Sequence, residues 1–77
     1  MNNDYKMKHS YLTGKDYDVF RCIKILNIRQ SASYMEAGIF PVDIAVGRDR
    51  NGERCFVFYF DKEESKEVYD KWCKHEL

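Results

Sequence analysis

The feature that most restricts how this chain can fold is a turn sequence flanked by two strand-like runs. Residues 42–48 read VDIAVGR, residues 54–60 read RCFVFYF, and Asp49, Arg50, Asn51 and Gly52 lie between them. β-Branched and aromatic residues favour strands, whereas Asp, Asn and Gly favour turns. The pattern therefore predicts a β-hairpin, and Pro41, which lacks an amide donor, suits the start of its first strand.

Two pairing registers are open to this hairpin. A two-residue Asn51-Gly52 turn divides the hydrophobic residues between both faces. A three-residue loop over residues 50–52 pairs Asp49 with Glu53, and it gathers Val42, Ile44, Val46, Phe56, Phe58 and Phe60 on one face. We expect the second register, because one-sided burial specifies register strongly.

A helix is predicted directly after the hairpin, from about residue 62 to residue 75. Asp61 suits its N-cap, and Glu64 three residues later completes a capping-box pattern. Its apolar stripe consists of Val68, Tyr69, Trp72 and Cys73. We expect this stripe to cover the phenylalanine face of the hairpin, with Trp72 in the core.

The first half of the chain is predicted to hold a second helix, from about residue 15 to residue 27. Its apolar residues recur at spacings of three and four: Tyr17, Val19, Phe20, Cys22, Ile23 and Leu26. Residues 10–13 suit a short edge strand, and the polar residues 1–9 a flexible tail. Residues 28–40 fit neither period, and a strand ending near Gly38 is one interpretation.

The element order β-α-(β)-β-β-α predicts an α+β fold, in which two helices cover one face of a small antiparallel sheet. The length of 77 residues suits one domain, placed here over residues 10–77. With 13 basic and 13 acidic residues, the chain carries no net charge to attract nucleic acid or a membrane surface.

The cysteine pattern argues against both disulfides and metal. Cys22, Cys55 and Cys73 are odd in number and widely spaced, and no signal peptide is recognisable, so we expect reduced thiols in the cytoplasm. The Cys73-x-His75 spacing fits no common zinc pattern, and no nucleophile has an orienting partner in the sequence. We predict no catalytic residue, no metal or other cofactor, and no small-molecule substrate.

A few positions carry a resemblance to known proteins. They are Tyr11-Leu12-Thr13, Asp16 at a helix start, the strand Cys55-Phe56-Val57-Phe58, and the acidic helix start at Asp61. Together they resemble a family of short bacterial and phage-borne domains of unknown function, over roughly residues 10–75. The resemblance implies a helix-sheet-helix layout and an origin in bacteria or their mobile elements, and it implies no known activity. Residues 28–41 form a longer segment here than in that family.

Two functions follow as expectations. The leading one is a non-enzymatic protein-binding or inhibitor-like module that contacts a protein partner or a second copy of itself. Its contact surface is expected on the back face of the hairpin, at Val57 and Tyr59, unless the segment around Met35 and Phe40 covers that face. Inhibition of a host defence complex is one specific version, which the resemblance suggests.

The alternative is a nucleic-acid-binding accessory protein. Arg48, Arg50 and Arg54 cluster at the hairpin tip, where their guanidinium groups would contact phosphates. Tyr59 would stack on a base in this interpretation.

Overall fold

The computed structural model describes residues 5–77, and over this range the chain is an α+β protein, as predicted. Its elements in order are β1 (Met7–His9), β2 (Asp16–Asp18), a 3-10 turn (Val19–Arg21), β3 (Cys22–Ile25), α1 (Ile28–Glu36), β4 (Asp43–Arg48), β5 (Arg54–Asp61) and α2 (Lys62–Cys73). β1 pairs with β2, and the other three strands form an antiparallel sheet in the order β3-β5-β4. Neither helix within residues 5–77 is long and apolar enough to cross a membrane.

The predicted hairpin register is confirmed. Phe58 lies opposite Ile44, Phe56 lies opposite Val46, and the Asp49 amide donates to the Glu53 carbonyl over 2.9 Å. The Asp49 carboxylate accepts hydrogen bonds from the amides of Asn51 and Glu53 across the turn. Gly52 has a φ of 78°, the left-handed conformation that the three-residue loop requires.

Val42 departs from the predicted face. Asp43 is paired with Tyr59, and the Val42 amide also donates to the Tyr59 carbonyl over 2.8 Å. Two residues thus face one, which is the arrangement of a β-bulge, and a bulge shifts the alternation of side chains. Val42 therefore packs on the back face of the sheet and not beside Ile44.

The helix predicted over residues 15–27 is wrong, because this segment forms β2, the 3-10 turn and β3. Pairing with β5 places Ile23 and Ile25 opposite Phe60 and Phe58, so their apolar side chains join an existing apolar face. The Asp18 carboxylate accepts from the Phe20 amide and fixes the turn between the two strands. Tertiary pairing has here overridden a local helical pattern.

Residues 28–40, whose sequence fits neither a helical nor a strand period, contain α1. The Asn27 side chain accepts a hydrogen bond from the Gln30 amide and caps the helix, and Gly38 follows its end with a φ of 89°. The helix buries Gln30 and Ser31 together with Tyr34. Because two of these three buried residues are polar, the apolar residues of the segment do not by themselves mark the face that the helix buries.

Both helices lie on one face of the β3-β5-β4 sheet and bury a group that we call the helix-side core: Ile25, Tyr34, Phe58, Phe60 and Val68. Tyr34 and Phe60 are fully buried, with ring centroids 5.0 Å apart. Trp72, predicted to lie in the core, packs against this core and is only partly buried. The predicted N-cap is also confirmed, since the Asp61 carboxylate accepts from the amides of Glu63 and Glu64.

The amino-terminal part of the chain lies over the opposite face of the sheet. β1 falls within the segment predicted as a tail, and residues 1–4 lie outside the described range. The predicted strand at residues 10–13 is a turn, in which Ser10 Oγ accepts hydrogen bonds from the Leu12 and Thr13 amides. This hairpin and turn, and not the segment around Met35 and Phe40, cover the back face.

Candidate functional site

The back face of the sheet is closed. Val57 and Tyr59 are only 8% and 9% exposed, and with Tyr17 they form a buried group that we call the back cluster. The Tyr17 and Tyr59 rings lie 5.9 Å apart. Val57 and Tyr59 point away from the helices, as predicted, but they are covered, so neither the partner contact nor the base stacking assigned to them has an open surface.

A buried carboxyl group joins the amino-terminal hairpin to the sheet. Asp43 accepts hydrogen bonds from the Tyr17 hydroxyl over 2.6 Å, from the Ser10 hydroxyl over 3.3 Å and from the Ile44 amide over 3.0 Å. Burial, reinforced by the hydrogen bond to Asp43, raises the pKa of Tyr17. With three hydrogen-bond donors and only 9% exposure, the Asp43 carboxyl group joins parts of the fold.

Cys22 lies beside the back cluster and is partly buried. Burial, together with the nearby carboxylates of Asp61 and Asp18, raises the pKa of its thiol from 9.0 to about 11. A raised pKa keeps the thiol protonated, which is unfavourable for a nucleophile. Within residues 5–77, no three His, Cys, Asp or Glu side chains are placed to hold a metal ion.

The three predicted arginines are exposed at the hairpin end of the sheet. Arg48 lies directly opposite Arg54, and Arg50 lies in the turn. The Arg48 guanidinium donates to the Gly52 carbonyl over 3.1 Å, so part of its donor capacity is used to hold the turn. Arg54 also borders a groove between the hairpin and the start of α1.

That groove contains the largest apolar side chains left open near the hairpin tip. We call the group Leu26, Ile28, Val46 and Phe56 the hairpin patch; these side chains are 42%, 65%, 68% and 55% exposed. They line a groove of about 440 Å³, together with Arg54 and Cys55. Exposed apolar side chains grouped in this way are typical of protein interaction sites.

Sequence reasoning missed the hairpin patch because it assigned Leu26, Val46 and Phe56 to buried faces and left Ile28 in a segment without a predicted element. On the helix face of β5, Phe60 and Phe58 are buried in the helix-side core, whereas Phe56 stays 55% exposed. Leu26 and Ile28 join the patch only because β3 and α1 meet there.

Comparison with protein-family models, with curated proteins and with solved structures finds no match to this chain. Its function is therefore inferred from its own surfaces.

Proposed function

We propose that this chain is a small, non-enzymatic, cytoplasmic protein-binding module that holds a protein partner on the hairpin patch. The observation that carries the proposal is the exposure of Val46 and Phe56, two directly paired residues on the face that the helices otherwise bury. Burying such side chains contributes roughly 25 cal/mol for each Å² of apolar surface removed from water. A partner that covers Val46 and Phe56 would therefore gain binding free energy from their burial.

The surroundings of the patch specify the chemistry of that partner. Arg54 borders the groove, and Arg48 lies directly opposite it on the same face. An apolar centre with a charged rim is the usual anatomy of a protein interface. The partner surface should therefore present apolar side chains with carboxylates beside them. A narrower version, a phage-borne inhibitor of a host defence complex, is supported by the sequence resemblance alone.

The test compares two variants with equally exposed apolar residues. Phe56→Ser removes an apolar side chain from the hairpin patch. Leu12→Ser removes one from the amino-terminal turn, and both side chains are 55% exposed. Proteins captured from a bacterial lysate by the unaltered chain are identified by mass spectrometry and purified, and their dissociation constants are measured by calorimetry. Phe56→Ser should weaken the specific complex by about 2 kcal/mol, roughly thirtyfold in Kd. Leu12→Ser should leave the Kd unchanged.

Two results would contradict this proposal. One is a purified partner whose Kd is the same for both variants. The other is sedimentation of the unaltered chain as a dimer that Phe56→Ser converts to a monomer, because a second copy would then occupy the patch.

Nucleic-acid binding remains the alternative, and the exposed Arg50 and Arg54 favour it. It predicts a mobility shift of DNA or RNA that weakens steeply with salt, because phosphate contacts release counterions. Arg50→Ala and Arg54→Ala should each flatten that salt dependence, whereas Phe56→Ser should leave it unchanged.

A further inference from the structure

A second groove lies between β3 and α2, away from the hairpin patch. β3 is an edge strand, since β5 is its only neighbour in the three-stranded sheet. The Val42 amide donates to the Tyr59 carbonyl, so the backbone groups of Tyr59 face β4. Lys24 lies opposite Tyr59 on the other side, and in antiparallel pairing its own amide and carbonyl must then point away from the sheet. β3 thus offers an unpaired donor and acceptor at its open edge.

The side chains around this edge form a groove of about 510 Å³. Its walls come from β3, α1 and α2: Ile23, Lys24, Ile25, Gln30, Lys62, Ser65, Lys66, Tyr69, Trp72 and Cys73. Ile23, Ile25 and Trp72 contribute apolar surface, and Lys62 and Lys66 contribute charge. Lys24 borders the groove through its backbone, because its side chain points to the back face, where Nζ lies 6.0 Å from the centre of the Tyr59 ring. None of the groove residues carries a carboxylate, so the charged side chains that line it are basic.

The charge of α2 is divided between its faces. Lys62 and Lys66 lie four residues apart and line the groove, whereas Glu63, Glu64, Glu67 and Asp70 do not. Among ion pairs between residues 5–77, Lys71 pairs with Glu67, and none includes Lys24, Lys62 or Lys66. α2 has more acidic than basic residues, yet the only charged side chains that it places along this groove are those of lysines.

We propose that this groove binds an extended acidic peptide segment of a partner protein, which adds to the free edge of β3 as a further strand. Strand addition uses the open amide and carbonyl of Lys24, and alternate peptide side chains then face the groove. Carboxylates at those positions would meet Lys62 and Lys66 on α2. A peptide supplies both an amide donor and a carbonyl acceptor, whereas a nucleic-acid backbone supplies no such donor, so the edge strand favours the peptide.

The probe is a seven-residue peptide that alternates Glu and Val, with both ends blocked and a fluorescent label. We expect saturable binding in a fluorescence anisotropy titration at physiological salt. The double variant Lys62→Glu, Lys66→Glu should weaken binding about tenfold. The double variant Lys71→Glu, Lys74→Glu changes the net charge equally outside the groove, and it should weaken binding less than about threefold. Thermal melting checks that both variants fold.

Strand addition is tested separately from charge. Methylating the central peptide amide removes one donor and should weaken binding about tenfold, and the bound peptide should slow hydrogen exchange at the Lys24 amide. The proposal is overturned if the methylated peptide binds equally well, or if exchange at Lys24 is unchanged. It is also overturned if the peptide does not bind at 1 mM, or if a peptide with Lys in place of Glu binds as well. Displacement of the peptide by a seven-nucleotide oligothymidylate at equal concentration would overturn it too. Phe56→Ser should leave peptide binding unchanged, which separates this groove from the hairpin patch.

Discussion

The two faces of the β3-β5-β4 sheet are buried by different means. On one face, two helices bury the helix-side core, where the fully buried rings of Tyr34 and Phe60 meet. On the other, a hairpin of two three-residue strands lies over the back cluster, and the Asp43 carboxyl group accepts hydrogen bonds from Tyr17 and Ser10. Both faces bury polar atoms, since Gln30 donates to the Tyr34 hydroxyl on the helix side, but among the described residues the one buried carboxyl group is Asp43 on the back face.

This difference predicts different sensitivities. A cavity on the helix side loses transfer free energy and contacts. A missing donor on the back face leaves a buried polar atom without a partner, which costs more than the net value of the hydrogen bond. Substitutions that remove volume should therefore reduce the free energy of unfolding most strongly on the helix side. On the back face, the removal of a single oxygen atom should already reduce it.

The largest effect is expected on the helix side. Phe60→Ala should reduce the free energy of unfolding by about 3–5 kcal/mol, because it empties a fully buried site. A domain of this size has about 5 kcal/mol of stability or little more, so the variant should be largely unfolded at room temperature. Phe56→Ala on the same strand face is the control, since Phe56 is 55% exposed. Equal urea midpoints for the two variants would contradict the proposed division of this face.

A smaller effect is expected from one oxygen atom on the back face. Tyr17→Phe removes the donor to Asp43 and should destabilise the protein by about 1–3 kcal/mol, because Asp43 stays buried. Tyr11→Phe removes the same atom from a side chain that is 92% exposed and should change stability little. The measurement is the urea midpoint of each variant. A Tyr17→Phe midpoint equal to that of the unaltered chain would show that Asp43 obtains its partners elsewhere.

A tight approach within the back face provides the third prediction. A Cβ atom on Gly47 would lie 2.8 Å from Cγ2 of Val57, so Gly47→Ala requires that side chain to move. We expect a loss of about 1 kcal/mol, since Val has few alternative rotamers. In a Val57→Ala background, Gly47→Ala should be neutral or stabilising. Additive losses in this double-mutant cycle would contradict the close contact.

The smallest effect is a dependence on alkaline pH. Burial raises the pKa of Cys22 from 9.0 to about 11, so the folded state holds this proton more tightly than the unfolded state. Its contribution is fully present below pH 9 and is lost as the pH rises through about 11. Cys22→Ala should therefore lose less stability over this range than the unaltered chain, when urea midpoints are compared.

Other groups titrate in the same direction, so the comparison needs a control. Burial also raises the pKa of Tyr17 on the back face and of Tyr34 on the helix side, and both add to the alkaline loss. The Cys22→Ala comparison is therefore repeated in a Tyr17→Phe background, where the difference in slope should persist. Equal slopes with and without Cys22 would show that Cys22 is not the group responsible.

The sequence by itself determined the β4-β5 hairpin and α2. Asp49 and Gly52 have turn preferences that agree with one-sided burial of the phenylalanines, and Asp61 caps the helix that follows. Local preference and global burial point to the same answer in this half of the chain, which is why the register was predictable. The α+β class follows from these elements.

Only the tertiary structure decided the first half of the chain and both candidate sites. Residues 15–27 have helical spacing, yet pairing Ile23 and Ile25 with β5 completes an apolar face that a separate helix would leave open. The amino-terminal hairpin covers Val57 and Tyr59, which lie far from it in sequence. Tyr17 and Ser10 hold it in place by hydrogen bonds to Asp43. Exposure is a property of the assembled layers and not of a strand's own alternation. The hairpin patch and the lysine-lined groove therefore became visible only once the elements were placed together.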